Sequence, residues 1–199
     1  MGEVKNRRIF KWLSFFHLKM PKIRKFAAYS NLKRPYTRIS KFNKKNFVRG
    51  GRPNLKLTKF EMGETNKQFD TVLHLNVTKS MNIRHNSLES ARTTGNRLLE
   101  KNLAKGYHLR LRVFPFHILR ENPLASGAGA DRMSKGMQKA YGKSISCAAR
   151  VKEGQTIMDL SISQNNLKLG RLALERASKK LPCHCKIVLI STPPVQKVQ

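Results

Sequence analysis

Thr71-Val72-Leu73-His74-Leu75-Asn76-Val77-Thr78 is the stretch on which the fold turns. Thr71, Leu73, Leu75 and Val77 alternate with residues of different polarity, and a side-chain period of two is the signature of a half-buried strand. Upstream, Leu57, Phe60 and Met62 suit a second strand of the same sheet. Downstream the period changes. Leu88, Ala91, Gly95, Leu98 and Asn102 recur at helical spacing until Gly106, and Asn86 with Glu89 three residues on resembles a capping box.

Tyr107 to His117 alternates again, with Leu109, Leu111 and Val113 on one side and His108, Arg110 and Arg112 on the other, which predicts a half-buried strand with a basic face. Residues 120–143 are rich in glycine and basic side chains and poor in large apolar ones, so they read as a long functional loop. Ile145 to Val151 and Thr156 to Ser163 predict two strands, and Glu153-Gly154 between them predicts a hairpin turn. A second helix is expected from about Asn166 to Lys180, with Leu169, Leu172, Ala173 and Ala177 inward and Pro182 closing it. Lys186 to Ser191 is a last strand. This order of elements predicts an α+β fold, a two-layer sandwich of a mainly antiparallel sheet with two helices on one face. The globular domain is taken as residues 57–191, followed by a short tail at 192–199.

Charge separates this domain from what precedes it. The 199 residues carry 41 Lys+Arg against 11 Asp+Glu, a formal net charge of +30. Residues 1–60 hold 18 of the basic residues and one acid, Glu3. A chain so charged repels itself unless a polyanion binds it, and nucleic acid is the first candidate because each matched phosphate releases counterions. An anionic membrane surface is the second. Residues 20–56 form a basic arm in which Phe26, Tyr29, Tyr36, Phe42 and Phe47 alternate with lysines and arginines, a composition that orders on a partner. Residues 1–19 are atypical. The apolar patch from Phe10 to Leu18 fits an amphipathic surface helix, a docking element for another protein, or sequence upstream of a start at Met20. No run approaches the roughly 20 apolar residues that span a bilayer, and three cysteines without paired spacing suit a cytoplasmic protein with reduced thiols.

Enzymatic and cofactor readings are weak. Ser126-Gly127-Ala128-Gly129-Ala130-Asp131-Arg132 has arginine where a dinucleotide fingerprint needs its third glycine. Cys183-His184-Cys185 lacks the further ligands of a tetrahedral zinc site, and a core cysteine beside an exposed one is expected instead. The six histidines form no arrangement with a nucleophile and an acid, and His85 beside Arg84 reads as an RNA contact or a helix-entry residue. No cofactor and no metal are expected.

Four segments carry a resemblance. Ile83-Arg84-His85-Asn86-Ser87-Leu88-Glu89-Ser90-Ala91-Arg92, Arg112-Val113-Phe114-Pro115-Phe116-His117-Ile118-Leu119-Arg120-Glu121-Asn122, the run from Gly127-Ala128-Gly129-Ala130-Asp131-Arg132 to Lys143, and Ala148-Ala149-Arg150-Val151 occur in order. Together they resemble the universal large-subunit ribosomal protein numbered sixteen in bacteria and ten in archaea and eukaryotes, in its archaeal and eukaryotic form. The likeness covers about Pro21 to Ile190, more loosely before Leu57.

The resemblance implies a hammerhead-type core and a structural rather than enzymatic role in translation. Its implied partners are large-subunit rRNA, including the 5S rRNA neighbourhood, tRNA, other ribosomal proteins and late assembly factors, with no membrane. For rRNA the candidates in the arm are Arg24, Lys25, Arg34, Tyr36, Arg38, Arg49 and Arg52, and in the domain Arg84, His85, Arg92, Arg110, Arg112 and Arg150. The loop, expected to point toward the peptidyl-transferase region, offers Arg120, Ser126, Gly127, Gly129, Asp131, Arg132, Lys135, Lys139 and Lys143 to tRNA. Pro123 stands where the family has a basic residue and Gln138 where it has arginine, which implies fewer phosphate contacts. An RNA chaperone or ribosome-assembly factor using the same basic surface is the alternative reading.

Overall fold

The computed structural model of the chain describes residues 25–32, 38–39, 46–47, 52–121 and 143–191. A 3-10 turn at Phe26–Tyr29 is followed by a short antiparallel pair, β1 (Arg38–Ile39) and β2 (Asn46–Phe47). The domain then runs β3 (Glu61–Gly63), β4 (Thr71–Val77), β5 (Met81–Arg84), α1 (His85–Leu103), β6 (Tyr107–Leu111), β7 (His117–Glu121), β8 (Lys143–Val151), β9 (Thr156–Ile162), α2 (Leu167–Ser178) and β10 (Cys185–Ser191). Five strands form one sheet in the order β10-β4-β9-β6-β3 and three form another in the order β5-β8-β7, every neighbour antiparallel.

The alternation of β4 is realised residue by residue: Thr71, Leu73, Leu75 and Val77 are buried and the residues between them half-buried. Leu73, Leu109, Leu160 and Ile162 share the buried face of the five-stranded sheet, and Leu88, Ala91 and Leu99 of α1 with Ala173, Leu174 and Ala177 of α2 close over it. Burying each large aliphatic side chain contributes about 1.5–3 kcal/mol, so this interface holds the two layers together. Gly170 sets the spacing. A Cβ there would lie 3.0 Å from Leu73 Cδ1 and 3.2 Å from Leu160 Cδ2, so the absence of a side chain lets α2 press against β4 and β9. Leu172, expected inward, is instead exposed, because the buried stripe of α2 runs through Gly170, Ala173, Leu174 and Ala177.

Several local expectations are corrected. The alternating run from Tyr107 to His117 is two strands in different sheets. Pro115 has no N–H for a ladder, and the chain crosses between sheets at 112–116 with Phe114 stacked on Phe60 at 5.4 Å. Ile145 to Val151 and Thr156 to Ser163 do not pair with each other, since β8 lies in the three-stranded sheet and β9 in the five-stranded one. The turn between them docks on the end of β4 instead, with Gly154 N–H donating to Val77 O at 2.8 Å.

The capping box does not form. Arg84 is the N-cap residue, without a side-chain cap bond, and Glu89 is taken by Arg92 one turn along. At the other end the helix stops before Gly106, at Ala104, which takes φ +51 while its N–H bonds to Glu100 O. Of Leu57 to Met62 only the end is strand. Leu57 is buried all the same, and Leu111 N–H bonds to Phe60 O at 2.7 Å.

Candidate nucleic-acid interface

The register across the five-stranded sheet aligns Val188, His74, Asp159, Arg110 and Glu61 in one row on the face turned away from the helices. Asp159 is the pivot of this row. Its Oδ1 lies 2.8 Å from His74 Nδ1 and its Oδ2 2.9 Å from Arg112 Nε, while Arg110 Nε reaches Glu61 Oε1 at 3.2 Å. Burial raises the Asp159 carboxyl above its ordinary value, against the opposing pull of His74, Arg112 and Arg110. Both arginine side chains are about half exposed and are held through Nε, which keeps their guanidinium planes oriented at the surface. The predicted basic face of β6 thus exists, with two acids set into it as braces.

The three-stranded sheet carries a second set of cations. Arg150 stands opposite Asn82, and Ala148 lies between Arg84 and His117 in the next row. Arg150 is exposed and Arg84 half-buried, and Arg52 and Lys25 are exposed nearby in the chain's leading segments. Among the described residues Arg52 and Arg150 make no ion pair. An exposed arginine without an acid partner keeps its full fork of donors for a phosphate.

Asn82, which sequence reasoning passed over, organises this region. It is buried, its Nδ2 donates to Tyr29 O at 3.1 Å and Asn31 O at 2.8 Å, and its backbone N–H donates to Ser30 O at 3.1 Å. These bonds fasten the segment that leads into the basic arm onto β5. No periodicity marks such a residue. A lone asparagine in a short strand is the only signal it gives.

Two predicted RNA residues serve the interior instead. His85 is buried at the start of α1, where Nδ1 accepts the Lys56 N–H and Nε2 lies 3.2 Å from Ser146 Oγ. Burial first, then Lys56 and Arg84, hold it below the ordinary histidine value, so it enters the helix as a neutral ring. Arg92 is buried as well. Its guanidinium bonds to Glu89 and lies 3.0 Å from Met62 Sδ, bracing the β3 segment against α1.

The root of the predicted loop is well defined. Arg120 pairs with Ser144 and Glu121 with Lys143 in the β7–β8 ladder, so the chain leaves and returns through adjacent strands. Tyr29 Oη donates to Glu121 Oε2 at 3.3 Å at this root. Ser126, Gly127, Gly129, Asp131, Arg132, Lys135 and Lys139 lie outside the described residues, as do Arg24, Arg34, Tyr36 and Arg49; Arg38 and Lys143 are placed by their backbones in β1 and β8.

The cysteine expectation is also corrected. Cys183 and Cys185 are both half-buried with Sγ atoms 3.6 Å apart, Cys183 lying in the bend just before β10 and Cys185 being the first residue of that strand. Among the described residues no group of three or more His, Cys, Asp or Glu side chains is placed to hold a metal.

Comparison with known proteins decides what such a surface belongs to. The family of ribosomal protein L16p/L10e matches residues 34–188. The chain belongs to this family. A large ribosomal subunit protein uL16 from Methanococcus aeolicus is 40% identical over 157 residues, covering 77% of this chain and 90% of that protein. The uL16 of Archaeoglobus fulgidus is 40% identical over 159 residues, 79% of this chain and 87% of that one, and the uL16 of Picrophilus torridus is 43% identical over 159 residues, 78% and 90%. As an L16p/L10e protein of archaeal type, the chain is a structural constituent of the large ribosomal subunit and not an enzyme. Among the described residues no helix is long and apolar enough to cross a membrane.

Proposed function

We propose that this L16p/L10e protein binds large-subunit rRNA in the cytoplasmic ribosome through its basic arm and two arginine surfaces, one braced by acids and one without acid partners, and contacts tRNA through the segment between β7 and β8. The observation that carries the reading is the pairing of an excess of 30 positive charges with exposed arginines, Arg52 and Arg150, that have no acid partner among the described residues. Phosphate contacts of this kind supply affinity and register without reading sequence. Arg110 and Arg112 add oriented guanidinium groups, while His85 and Arg92 support the surface from inside. The 5S rRNA neighbourhood, neighbouring ribosomal proteins and late assembly factors complete the proposed set of partners.

The segment from 120 to 143 combines glycines at 127, 129, 136 and 142 with basic residues at both flanks and few large apolar side chains, none of them within 126–132. That composition suits a tRNA that comes and goes better than permanent packing in rRNA. Replacing residues 126–132 with a short neutral linker tests it. Subunits should incorporate the altered protein at normal stoichiometry, with peptidyl-tRNA affinity and elongation rate both reduced. Wild-type values for both would withdraw the tRNA role and leave the rRNA role standing.

A further inference from the structure

The turn from α2 to β10 holds a pair of side chains that pack against the hydrophobic core and that the RNA surface does not use. Cys183 and Cys185 stand with their sulfur atoms 3.6 Å apart, both half-buried. Thr78 pins this turn, since the His184 carbonyl accepts its N–H at 3.2 Å and its hydroxyl at 2.8 Å. Cys185 is locked in register with Val77 of β4. The two thiols border a surface recess also lined by Ser178, Lys179 and His184, so a small solute has access to them. Among the described residues no group of three His, Cys, Asp or Glu side chains is placed to hold a metal, and the two sulfurs face each other, so the pair is set up for chemistry between them.

We propose that Cys183 and Cys185 form a thiol–disulfide exchange site that closes reversibly to an intramolecular disulfide by reaction with a low-molecular-weight disulfide. The pair is asymmetric. The hydrogen bond between the two sulfurs holds Cys183 below the ordinary thiol value and, with burial, pushes Cys185 above it. Cys183 is therefore the attacking thiolate.

Its Sγ attacks one sulfur of the small disulfide, whose S–S bond breaks; one small thiolate departs, and a mixed disulfide remains on Cys183. Cys185 then gives its proton to the departing thiolate and attacks Cys183 Sγ, expelling the second small thiolate, which takes the proton of the original Cys183 thiol from solvent. Two protein thiols are oxidised to one disulfide and one small disulfide is reduced to two thiols. The sulfurs need only close from 3.6 Å to about 2.05 Å. Cys147 is an internal control, because it is buried against Pro53 O and burial raises its thiol.

The test treats the full, reduced chain with oxidised glutathione under native conditions and follows intact mass and peptide maps. The wild type should lose two hydrogens, with the link between Cys183 and Cys185, and dithiothreitol should reverse it. Cys185→Ser should stop at a mixed disulfide on Cys183, and Cys183→Ser should react about tenfold more slowly than the wild type. A glutathione adduct that persists on the wild type, reaction at Cys147 first, or no reaction overturns the proposal. The wild-type result stands without either variant, so a folding defect in one of them does not shelter the idea.

Discussion

Tyr29 and Glu121 meet across the three-stranded sheet, the phenol donating to Oε2 at 3.3 Å. Tyr29 belongs to the segment leading into the basic arm, and Glu121 is the last residue of β7 before the chain leaves for the glycine-rich segment. With Asn82 holding the carbonyls of Tyr29 and Asn31, the arm is fastened at the place from which the proposed tRNA-contacting segment departs.

Asn82→Ala leaves two carbonyl groups without their donor and should cost about 1–3 kcal/mol of unfolding free energy, against about 0.5–1.5 kcal/mol for Tyr29→Phe. Urea denaturation gives both values. Limited proteolysis should show faster cleavage within 25–32 for both variants, and unchanged cleavage would mean that this fastening contributes nothing.

Gly63 sits at φ +88 with the Tyr107 carbonyl 2.0 Å from where a Cβ would be. Gly63→Ala should destabilise the domain by about 2 kcal/mol or more, because the backbone of β3 must move away from β6. The same denaturation series measures it, and a loss within 0.5 kcal/mol would mean that the strand end shifts freely.

Buried histidines set the pH response. His85 and His117 are both held below the ordinary value of 6.5, chiefly by burial. The unfolded chain then binds more protons as pH falls below that value, so the stability from these neutral rings is present above 6.5 and is lost as pH falls toward their folded values. Unfolding free energy should therefore decrease between pH 7.5 and 5.5. The double variant His85→Gln, His117→Gln should flatten the profile in that window even if it lowers stability throughout. An unflattened profile would assign the pH response to other groups.

The two-layer fold was legible because β4, α1 and α2 bury one face each, and burial writes its period into the chain. Tertiary pairing leaves no such record. Tyr107 to His117 alternates without a break, yet Pro115 and the Phe60–Phe114 stack divert it into another sheet. Glu153-Gly154 has hairpin chemistry, but Val77 captures the turn. At the site, Arg110 and Arg112 were legible from charge on a polar face and Arg150 from the family resemblance, whereas Arg92 and His85 have the same chemistry and face the interior. Asp159 and Asn82 act through partners far away in sequence, a relationship that composition and spacing do not contain.

The salt dependence of binding to large-subunit rRNA tests the central claim most directly. If the arm and the arginine surfaces neutralise about ten phosphates, the logarithm of the affinity should fall against the logarithm of salt with a slope of roughly −7 to −9. Arg34→Ala with Arg38→Ala should flatten it by about two units. A wild-type slope near −2 would contradict the account, because so few released counterions could not come from a surface built to hold phosphates.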